Sequence, residues 1–343
     1  MESTSGDSVV QLTCGQKIGN FTTLENVGSG SFGTVYLMHH DLMNRDSAVK
    51  FVENQDPNRF VAHFEAQILD QCKHDRIVSV YGVDVVADHA GTLFAAIEME
   101  YISGGSAAKL LGQHVSIRKA IKIIIDTLFA LEHAHTKNVL HRDVKPANIM
   151  LVGERAKLTD FGLATDGASA LTASGAGSPV YCAPEVINDA LTNVTTDVFA
   201  TGMTLFQLIN NYKNLAAKIH SLDTIRFCRV IPSIGYRNYV PRRLRLICNR
   251  ACNAEPAKRY QSAREFRQAL ESLRIRQDWN QVSADHWSAR IGKQVHELRA
   301  IGGGAFQCLY TINGRRRNVN CSNANSASAA RDLVERWIYG HTF

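Results

Sequence analysis

The alternation of apolar and polar positions in the first third of the chain predicts a β-rich unit. Short runs of β-branched and aromatic residues occur at 24–27, 34–38 and 48–52, separated by glycines or polar turns. This pattern is typical of an antiparallel meander. More strand-like sequence follows at 77–86 and 93–99. The N-terminal part of the chain should therefore fold as a small sheet.

Helical periodicity dominates the next part of the chain. One helix is already expected within the sheet region, because Phe60, Phe64 and Ile68 recur at four-residue spacing. From residue 116 a long helix is predicted, and further helices are predicted up to about residue 273. Strands followed by helices indicate an α+β architecture with a β-rich lobe and an α-rich lobe. The long helix is marked by Ile117, Ile121, Ile124, Leu128 and Leu131.

A third pattern begins beyond residue 276. A short helical segment is predicted at 287–298, and a hairpin should follow the glycines at 302–304. Its strands would be 306–312 and 315–321, joined by Asn313-Gly314, a pair suited to a type I′ turn. A final helix should start near Ser326. We interpret the chain from about residue 280 as a separate small α+β module.

Composition changes this picture little. The chain has 343 residues, of which 45% are apolar and 20% charged, as in soluble globular proteins. The eight cysteines form no C-x-x-C pair, so a tetrahedral metal site is not expected. We also find no signal-peptide pattern and no apolar stretch long enough to span a bilayer. These features predict a cytoplasmic protein without a membrane span.

Charge is concentrated at the C-terminal end. The net charge is +6, which alone does not indicate dedicated nucleic-acid binding. From residue 280 onward the chain contains eight Arg and Lys against four Asp and Glu, so this part carries +4. The densest piece is Arg315-Arg316-Arg317.

A glycine-rich stretch between two predicted strands is a candidate phosphate-binding loop. Gly28, Gly30 and Gly33 would let the backbone approach phosphate oxygens closely, although glycine-rich hairpin turns are also common. Lys50 lies in the next strand among apolar residues and needs an anionic partner or solvent. Glu65 on the following helix is the natural partner.

A polar string in the middle of the chain carries the chemistry of phosphoryl transfer. That reaction needs a carboxylate to accept the proton of the attacking hydroxyl, and oxygen ligands for Mg²⁺. Asp143 can do the first task, and Asn148 and Asp160 can do the second. An interpretation in which these residues merely cap turns leaves the string as a whole unexplained. It consists of His141-Arg142-Asp143-Val144-Lys145-Pro146-Ala147-Asn148, followed by Asp160-Phe161-Gly162.

With these motifs in this order, the chain resembles the eukaryotic-like (Hanks-type) Ser/Thr protein kinases, which also occur in bacteria. The resemblance covers about residues 17–273. It implies a bilobal protein-kinase fold, ATP and Mg²⁺ as cofactors, and protein Ser/Thr hydroxyls as acceptors. No catalytic position is missing, which disfavours a pseudokinase. A nucleotide-binding scaffold that recruits partners through residues 280–343 remains the alternative.

The resemblance also implies a role for each motif residue. Lys50, paired with Glu65, would hold the α- and β-phosphates. Asp143 would be the catalytic base, and Lys145 would neutralise charge on the transferred phosphate. Asn148 and Asp160 would bind Mg²⁺. The loop over the phosphates would contain Gly28, Gly30, Phe32 and Gly33.

The adenine site is implied in the same way. Glu100 and Ile102 would belong to the hinge, and Met99 would guard the pocket. These residues could equally be ordinary core residues. Both interpretations can hold, because apolar core side chains also line ligand pockets. Three further residues would enclose the ring: Val35, Ala48 and Met150.

Other family features concern the activation segment. Glu185 should pair with Arg259. Arg142, next to Asp143, suggests regulation by a phosphate on that segment. Thr172 and Ser174 are the candidate phosphosites, and plain loop polarity is the alternative.

The predicted domains follow from these assignments. Residues 1–16 should be a flexible terminus and residues 17–275 the kinase domain. Within it we place the N-lobe at 17–99, the hinge at 100–105 and the C-lobe at 106–275. Residues 276–343 would be a linker and a small basic module. For that module we favour a docking or autoinhibitory role, with nucleic-acid binding through its arginines as the alternative.

Overall fold

The computed structural model describes residues 11–30, 33–53, 72–88, 91–161, 179–302, 306–318 and 321–343. The helix predicted from Phe60, Phe64 and Ile68 lies outside these ranges and stays a prediction. In the part that is described, no helix is both long and apolar enough to cross a membrane.

The small lobe is a six-stranded antiparallel sheet with the strand order β1-β2-β3-β4-β6-β5. Successive side chains along a strand point to opposite faces. Val49 and Phe51 therefore pack on one face with Phe21, whereas Ala48 packs on the other face with Met99. The strands are β1 (Lys17–Ile18), β2 (Phe21–Gly30), β3 (Gly33–His40), β4 (Arg45–Glu53), β5 (Val80–Ala87) and β6 (Leu93–Glu100).

The large lobe is built around two long helices. Helix α1 (Ile117–Thr136) begins at Ser116, whose hydroxyl accepts a hydrogen bond from the Lys119 N–H. Asn193 caps the second long helix, Val194–Ile209, through reciprocal hydrogen bonds with Thr196. The remaining elements are α2 (Pro184–Asp189), α3 (Val194–Ile209), α4 (Leu222–Arg226), α5 (Val230–Ile234), α6 (Arg242–Ala251) and α7 (Ala263–Glu271), with the hairpin β7 (Ile149–Val152) and β8 (Arg155–Leu158).

The C-terminal module is a six-stranded antiparallel sheet with one helix. Its strand order is β13-β12-β11-β10-β9, and β14 also pairs with β12. With the two lobes it gives the predicted architecture of a β-rich lobe, an α-rich lobe and an extra α+β unit. The elements are β9 (Asn280–Ser283), β10 (His286–Ile291), β11 (Gln294–Ile301), β12 (Phe306–Ile312), β13 (Arg315–Arg316), β14 (Ser322–Ala324) and α8 (Ala327–His341).

The predicted helix at 287–298 is wrong, because this stretch forms the hairpin β10–β11. Trp287 and Ala289 are buried, whereas Ser288 and Arg290 are more exposed, which is the two-residue period of a strand. The turn between the strands contains Gly292 with a φ of +58°, a conformation that favours glycine.

The predicted hairpin at 306–321 is confirmed in part. Asn313 and Gly314 have φ angles of +49° and +74°, as a type I′ turn requires. The second strand is interrupted, since Arg315–Arg316 and Ser322–Ala324 pair separately with β12. Helix α8 starts after Ser326, as predicted, and the Ser326 side chain accepts the Ala329 N–H.

The module packs directly against the large lobe. The Trp287 ring lies 4.6 Å from the His114 ring and 5.0 Å from the Tyr239 ring. His114 Nε2 also donates to the Trp279 carbonyl at 3.0 Å. Burial lowers the pKa of His114, so this imidazole is neutral near pH 7. Buried residues of module and lobe belong to one hydrophobic core, although the boundary at residues 275–276 stays a prediction.

The linker into the module also caps helix α1. Asp278 accepts hydrogen bonds from the Ser116 hydroxyl at 2.8 Å and from the Arg118 N–H at 3.1 Å. A carboxylate at a helix N-terminus satisfies a free N–H and interacts favourably with the helix dipole. The start of α1 therefore depends on a residue far along the chain.

We expect Asp278→Ala to lower the free energy of unfolding by about 1 kcal/mol, the usual effect of losing an N-terminal cap. Urea unfolding followed by circular dichroism would measure this. Asp278→Asn keeps an acceptor oxygen and should retain most of the stability. Equal losses in both variants would show that the hydrogen bonds at α1 are not the cause.

Candidate active site

The loop at 141–148 follows helix α1 and is held by a buried carboxylate. Asp197 on α3 accepts the backbone N–H groups of His141 at 2.9 Å and Arg142 at 2.8 Å. His135 Nε2 donates to the same carboxylate at 2.8 Å. Burial opposes the charged form, but the hydrogen bond from His135 and the neighbouring imidazoles keep the pKa of Asp197 below its usual value. Arg142 has a φ of +66°, a strained conformation that these bonds help to maintain.

His141 joins this loop to the segment containing Asp160. Its Nδ1 accepts the Asp143 N–H at 3.2 Å, and its Nε2 donates to the Thr159 carbonyl at 2.8 Å. Its ring also packs 4.6 Å from the ring of Phe161, which is fully buried. The two polar motifs of the sequence are therefore connected by one imidazole with both nitrogens bonded.

Asp143 is oriented by two neighbouring side chains. Lys145 Nζ donates to Asp143 Oδ2 at 2.6 Å. Asn148 Nδ2 donates to the Asp143 carbonyl at 2.9 Å and to Oδ2 at 3.0 Å. The carboxylate remains 17% exposed, so it is fixed in direction and still accessible.

Lys50 reaches from strand β4 of the small lobe to Asp160 of the large lobe. The Lys50 Nζ lies 2.9 Å from Asp160 Oδ1, and the lysine side chain is only 4% exposed. Burial raises the pKa of Asp160, but the charge of Lys50 outweighs this effect and lowers it. The aspartate is therefore ionised at neutral pH. Glu65, the predicted partner of Lys50, lies outside the described residues.

Asn148 and Asp160 have the chemistry that Mg²⁺ requires. The Asn148 amide nitrogen is directed at Asp143, so its side-chain oxygen remains as an acceptor. The Thr159 N–H donates to the Asn148 carbonyl at 3.0 Å, which ties the two candidate ligands together. Among the described residues, no group of three His, Cys, Asp or Glu side chains could hold a metal. Mg²⁺ commonly takes one or two protein ligands plus phosphates and water, so two oxygen-bearing side chains can suffice.

The glycine-rich stretch forms the hairpin β2–β3. Gly28 pairs with Val35, and Gly30 pairs with Gly33. Gly33 has a φ of +116°, and a Cβ there would lie 2.1 Å from the Phe51 carbonyl oxygen. Glycine is therefore required at this position by close approach of two backbones. Phe32 lies outside the described residues.

We expect Gly33→Ala to lower the free energy of unfolding by more than about 1 kcal/mol, since a strained conformation alone costs that much. Thermal unfolding would measure it. Gly82→Ala is the matched control, because the space around Gly82 on β5 is open. Equal stability of the two variants would contradict the steric explanation.

Four of the six predicted adenine residues pack in one apolar cluster, namely Ala48, Met99, Ile102 and Met150. Ala48 faces Met99 across strands β4 and β6, and Ile102 and Met150 belong to the same apolar cluster. Val35 is beside Lys50 on the neighbouring strand.

Glu100, the last residue of β6 and a predicted hinge residue, has a structural partner that the sequence did not indicate. Its two carboxylate oxygens lie 2.8 and 2.6 Å from Lys157 Nζ on β8. Its backbone N–H donates to the Ser79 carbonyl. The side chain therefore joins the end of β6 to the large lobe.

The predicted pair of Glu185 and Arg259 is confirmed. The guanidinium donates two hydrogen bonds to the carboxylate, at 2.6 and 2.8 Å. Arg259 is almost fully buried and also donates to the carbonyls of Asn253 and Thr195. This network holds the start of helix α2 against the loop before α7. Thr172 and Ser174 lie outside the described residues.

Fold and site fit one class of protein: a buried lysine of a β-rich lobe contacts Asp160 of an α-rich lobe, and Lys145 holds the Asp143 carboxylate in place. Residues 21–272 match the protein kinase domain family. The chain belongs to the protein kinase family.

The chain is similar to serine/threonine-protein kinases of bacteria. The chain is 31% identical to the serine/threonine-protein kinase PknK of Mycobacterium tuberculosis over 295 residues, which covers 82% of this chain and 26% of PknK. It is 29% identical over 275 residues to PrkC of Bacillus subtilis, covering 74% of this chain and 41% of PrkC. The chain thus spans about a quarter of PknK and less than half of PrkC.

Solved structures agree on the fold. The PknI kinase domain of Mycobacterium tuberculosis superposes with a TM-score of 0.56 at 25% identity. The match covers 76% of this chain and 99% of that domain.

Proposed function

We propose that this protein is a Ser/Thr protein kinase that transfers the γ-phosphate of ATP to hydroxyl groups of protein serines and threonines. The observation that carries the proposal is the Asp143 carboxylate, held by Lys145 and Asn148. Lys145 is also close enough to Asp160 to lower the pKa of that carboxylate. The acid–base group and the phosphate-binding groups therefore belong to one site.

In the proposed reaction, the substrate hydroxyl donates a proton to Asp143 as its oxygen attacks the γ-phosphorus. A new bond forms between that oxygen and phosphorus, and the bond to the ADP oxygen breaks. Lys145 offsets the negative charge of the phosphoryl group during transfer. Lys50 holds the α- and β-phosphates so that the γ-phosphate stays in line.

A bound Mg²⁺ at Asn148 and Asp160 would neutralise the phosphate oxygens. The chain's own contribution is to fix these two side chains beside Asp143. The remaining assignments are proposals on the same basis: Glu65 as the partner of Lys50, Gly28, Gly30, Phe32 and Gly33 over the phosphates, and Val35, Ala48, Met99, Glu100, Ile102 and Met150 around adenine.

The preference for Ser and Thr over Tyr is supported by the position of Lys145 and by the names of the relatives. Lys145 lies two residues after Asp143 and bonds to it, which is typical of the Ser/Thr class. PknK and PrkC are both named serine/threonine-protein kinases.

Nucleotide and metal dependence tests the proposal. Purified protein should bind a fluorescent ATP analogue more tightly with Mg²⁺ than with EDTA, and unlabelled ATP should displace it. Transfer to a generic protein substrate should need both ATP and Mg²⁺. Transfer that continues in EDTA would contradict the proposed role of Asn148 and Asp160.

We also propose that the enzyme phosphorylates its own activation segment at Thr172 or Ser174. Arg142, adjacent to Asp143, supports this, because an arginine there can pair with a phosphate and order the segment. Mass spectrometry of protein incubated with ATP should find phosphate on one of these residues. An Asp143→Ala variant should remain unmodified, and an unmodified wild-type segment would refute the proposal.

A further inference from the structure

The large lobe contains a cavity of about 470 Å³ that no step of the proposed reaction uses. Helices α3, α5 and α6 contribute to its walls, and Val180 and Cys182 close a further side. Pockets for small molecules commonly have volumes of about 300–1,000 Å³. The cavity is therefore large enough for a small-molecule ligand, and the chemistry of its walls indicates which kind.

The walls of the cavity are mainly aliphatic. Three thiols also line it, those of Cys182, Cys228 and Cys252. Burial raises the pKa of all three, so they are neutral at pH 7 and behave as small apolar groups. A ligand that fills this space must have an apolar body. The larger apolar side chains are those of Val180, Phe199, Met203, Ile225, Val230 and Ile231.

Arg245 on α6 is the one charged residue among the described residues that line the cavity. Its Nε donates to the Val240 carbonyl at 2.7 Å, and its Nη2 donates to the carbonyls of Arg237 and Asn238 at 3.0 and 3.3 Å. Its Nη1 has no hydrogen-bond partner in the described part of the chain, and no carboxylate there pairs with the guanidinium. The cation is therefore held in place by backbone carbonyls and keeps two N–H groups for an anion.

Asn249 supplies a second donor next to Arg245. It also lines the cavity, and it follows Arg245 by four residues on α6, so the two side chains are neighbours on one helix face. The Tyr236 hydroxyl donates to Asn249 Oδ1 at 2.7 Å, which leaves the amide N–H groups for a ligand. The Arg245 guanidinium also packs 5.5 Å from the Tyr236 ring and 5.2 Å from the Tyr339 ring of α8. The donors therefore lie together on one wall.

The donors match a carboxylate better than other polar head groups. A carboxylate has one negative charge, which the single cation balances, and two oxygens, which Arg245 Nη1 and Asn249 Nδ2 can bind. A phosphate monoester carries nearly two negative charges and three acceptor oxygens, more than these two side chains satisfy. An ammonium group would have no partner, because none of the described residues that line the cavity is acidic.

The apolar walls indicate an aliphatic body for the ligand. Only Phe199 and Tyr236 contribute rings to the cavity, whereas an aromatic ligand gains most from stacking on or edge contacts with several rings. We propose that the cavity binds a fatty acid, with its carboxylate on Arg245 and Asn249 and its chain between α3 and α5. This site goes beyond the proposed kinase activity.

The cavity lies next to the segment that passes the catalytic carboxylate. Burial, and after it the charge of Asp143, raises the pKa of the Cys182 thiol to about 11, so this side chain is close to Asp143. Cys182 and Val180 also form one wall of the cavity. A bound chain would pack against both residues and hold this segment beside Asp143.

The test measures binding of fatty acids to the full chain without ATP, so its outcome is independent of phosphoryl transfer. Isothermal titration calorimetry would compare octanoate, decanoate and dodecanoate below the concentrations at which they form micelles. We expect one site per chain, and each added pair of methylenes should tighten binding by roughly tenfold until the cavity is filled. Absence of decanoate binding, or affinity that does not depend on chain length, would overturn the proposal.

Ligands with other head groups or bodies test the assignment of the two parts. Decanol, decyl phosphate and decyltrimethylammonium should bind at least about tenfold more weakly than decanoate, because each lacks the match to the two donors. Naphthoate keeps the carboxylate on an aromatic body and should also bind more weakly. Equal or tighter binding of any of these four ligands would overturn the proposed carboxylate or the proposed chain.

One pair of variants tests the carboxylate site. Asn249→Asp keeps an acceptor for the Tyr236 hydroxyl but places a negative charge where the ligand carboxylate should lie. It should weaken decanoate binding by at least about tenfold, the contribution of one hydrogen bond to a charged group, and leave decanol binding unchanged. Asn214→Asp adds the same charge at an exposed residue that does not line the cavity and should bind decanoate as the wild type does. Equal weakening in both variants would overturn the proposal.

A second pair tests the place of the chain. Ala254 lines the cavity and is exposed, so Ala254→Phe should fill space there without disturbing the core. We expect this variant to lose binding of both decanoate and decanol. Ala257→Phe, at an exposed residue outside the cavity wall, is the control and should bind both. Circular dichroism would confirm that both variants are folded. Unchanged decanoate binding in Ala254→Phe would show that the ligand binds elsewhere.

Discussion

Replacing Asp143 by alanine should lower kcat by about 10²- to 10⁴-fold, the range for loss of a positioned acid–base group. Without this carboxylate, the attacking hydroxyl loses both its proton acceptor and the group that orients it. Steady-state transfer of phosphate from ATP to a generic protein substrate measures the effect. The KM for ATP should change little, because Asp143 acts on the hydroxyl.

The Asp143 carboxylate is not part of the core, so its removal should leave the fold intact. It is 17% exposed. Its described side-chain hydrogen bonds come only from Lys145 and Asn148, which belong to the same loop. Asp84→Ala removes an exposed carboxylate from strand β5 and serves as the control. An Asp143→Ala variant as active as Asp84→Ala would contradict the mechanism.

Replacing Lys50 by methionine should reduce kcat/KM by at least about 100-fold, since misplacement of reacting groups by about 1 Å costs that much. Methionine keeps much of the apolar stem that lies buried in β4 but removes the ammonium group. Phosphate positioning is then lost. The same assay, run over a range of ATP concentrations, measures the change.

The pH dependence offers a second measurement on Lys50. The charge of Lys50 lowers the pKa of Asp160, so the variant should have a raised Asp160 pKa. The residual activity, and the Mg²⁺-dependent binding of a nucleotide analogue, should therefore decline at a higher pH on the acid side than in wild type. Lys119→Met, on the exposed surface of α1, is the control. Identical pH profiles in both variants would exclude an electrostatic role of Lys50 at Asp160.

Some contacts of the candidate site could be expected from the sequence, because the residues are close together in the chain. Asp143, Lys145 and Asn148 share one loop, so their mutual hydrogen bonds follow from local spacing. The Glu185–Arg259 pair was predicted only through the resemblance to a family. Nothing local indicates that these two residues, 74 positions apart, are in contact.

The sequence did not indicate contacts that depend on tertiary packing. His135 bonds to Asp197 across 62 positions, and an isolated histidine on an amphipathic helix has no pattern that reveals such a partner. The sequence likewise did not indicate the contact between Glu100 and Lys157. The error at 287–298 has a different cause. A short apolar pattern fits both the helical period of 3.6 residues and the strand period of two. Burial of this stretch against the large lobe favours the strand.

The most direct test of the central claim identifies the phosphorylated amino acid. The full chain would be incubated with Mg²⁺, ATP labelled at the γ-phosphate and a generic protein substrate, followed by acid hydrolysis and separation of the phosphoamino acids. We predict labelled phosphoserine or phosphothreonine with the wild type and neither with Asp143→Ala. Label on tyrosine alone, or no label from a wild-type protein that binds ATP, would contradict the claim that the protein is a Ser/Thr kinase.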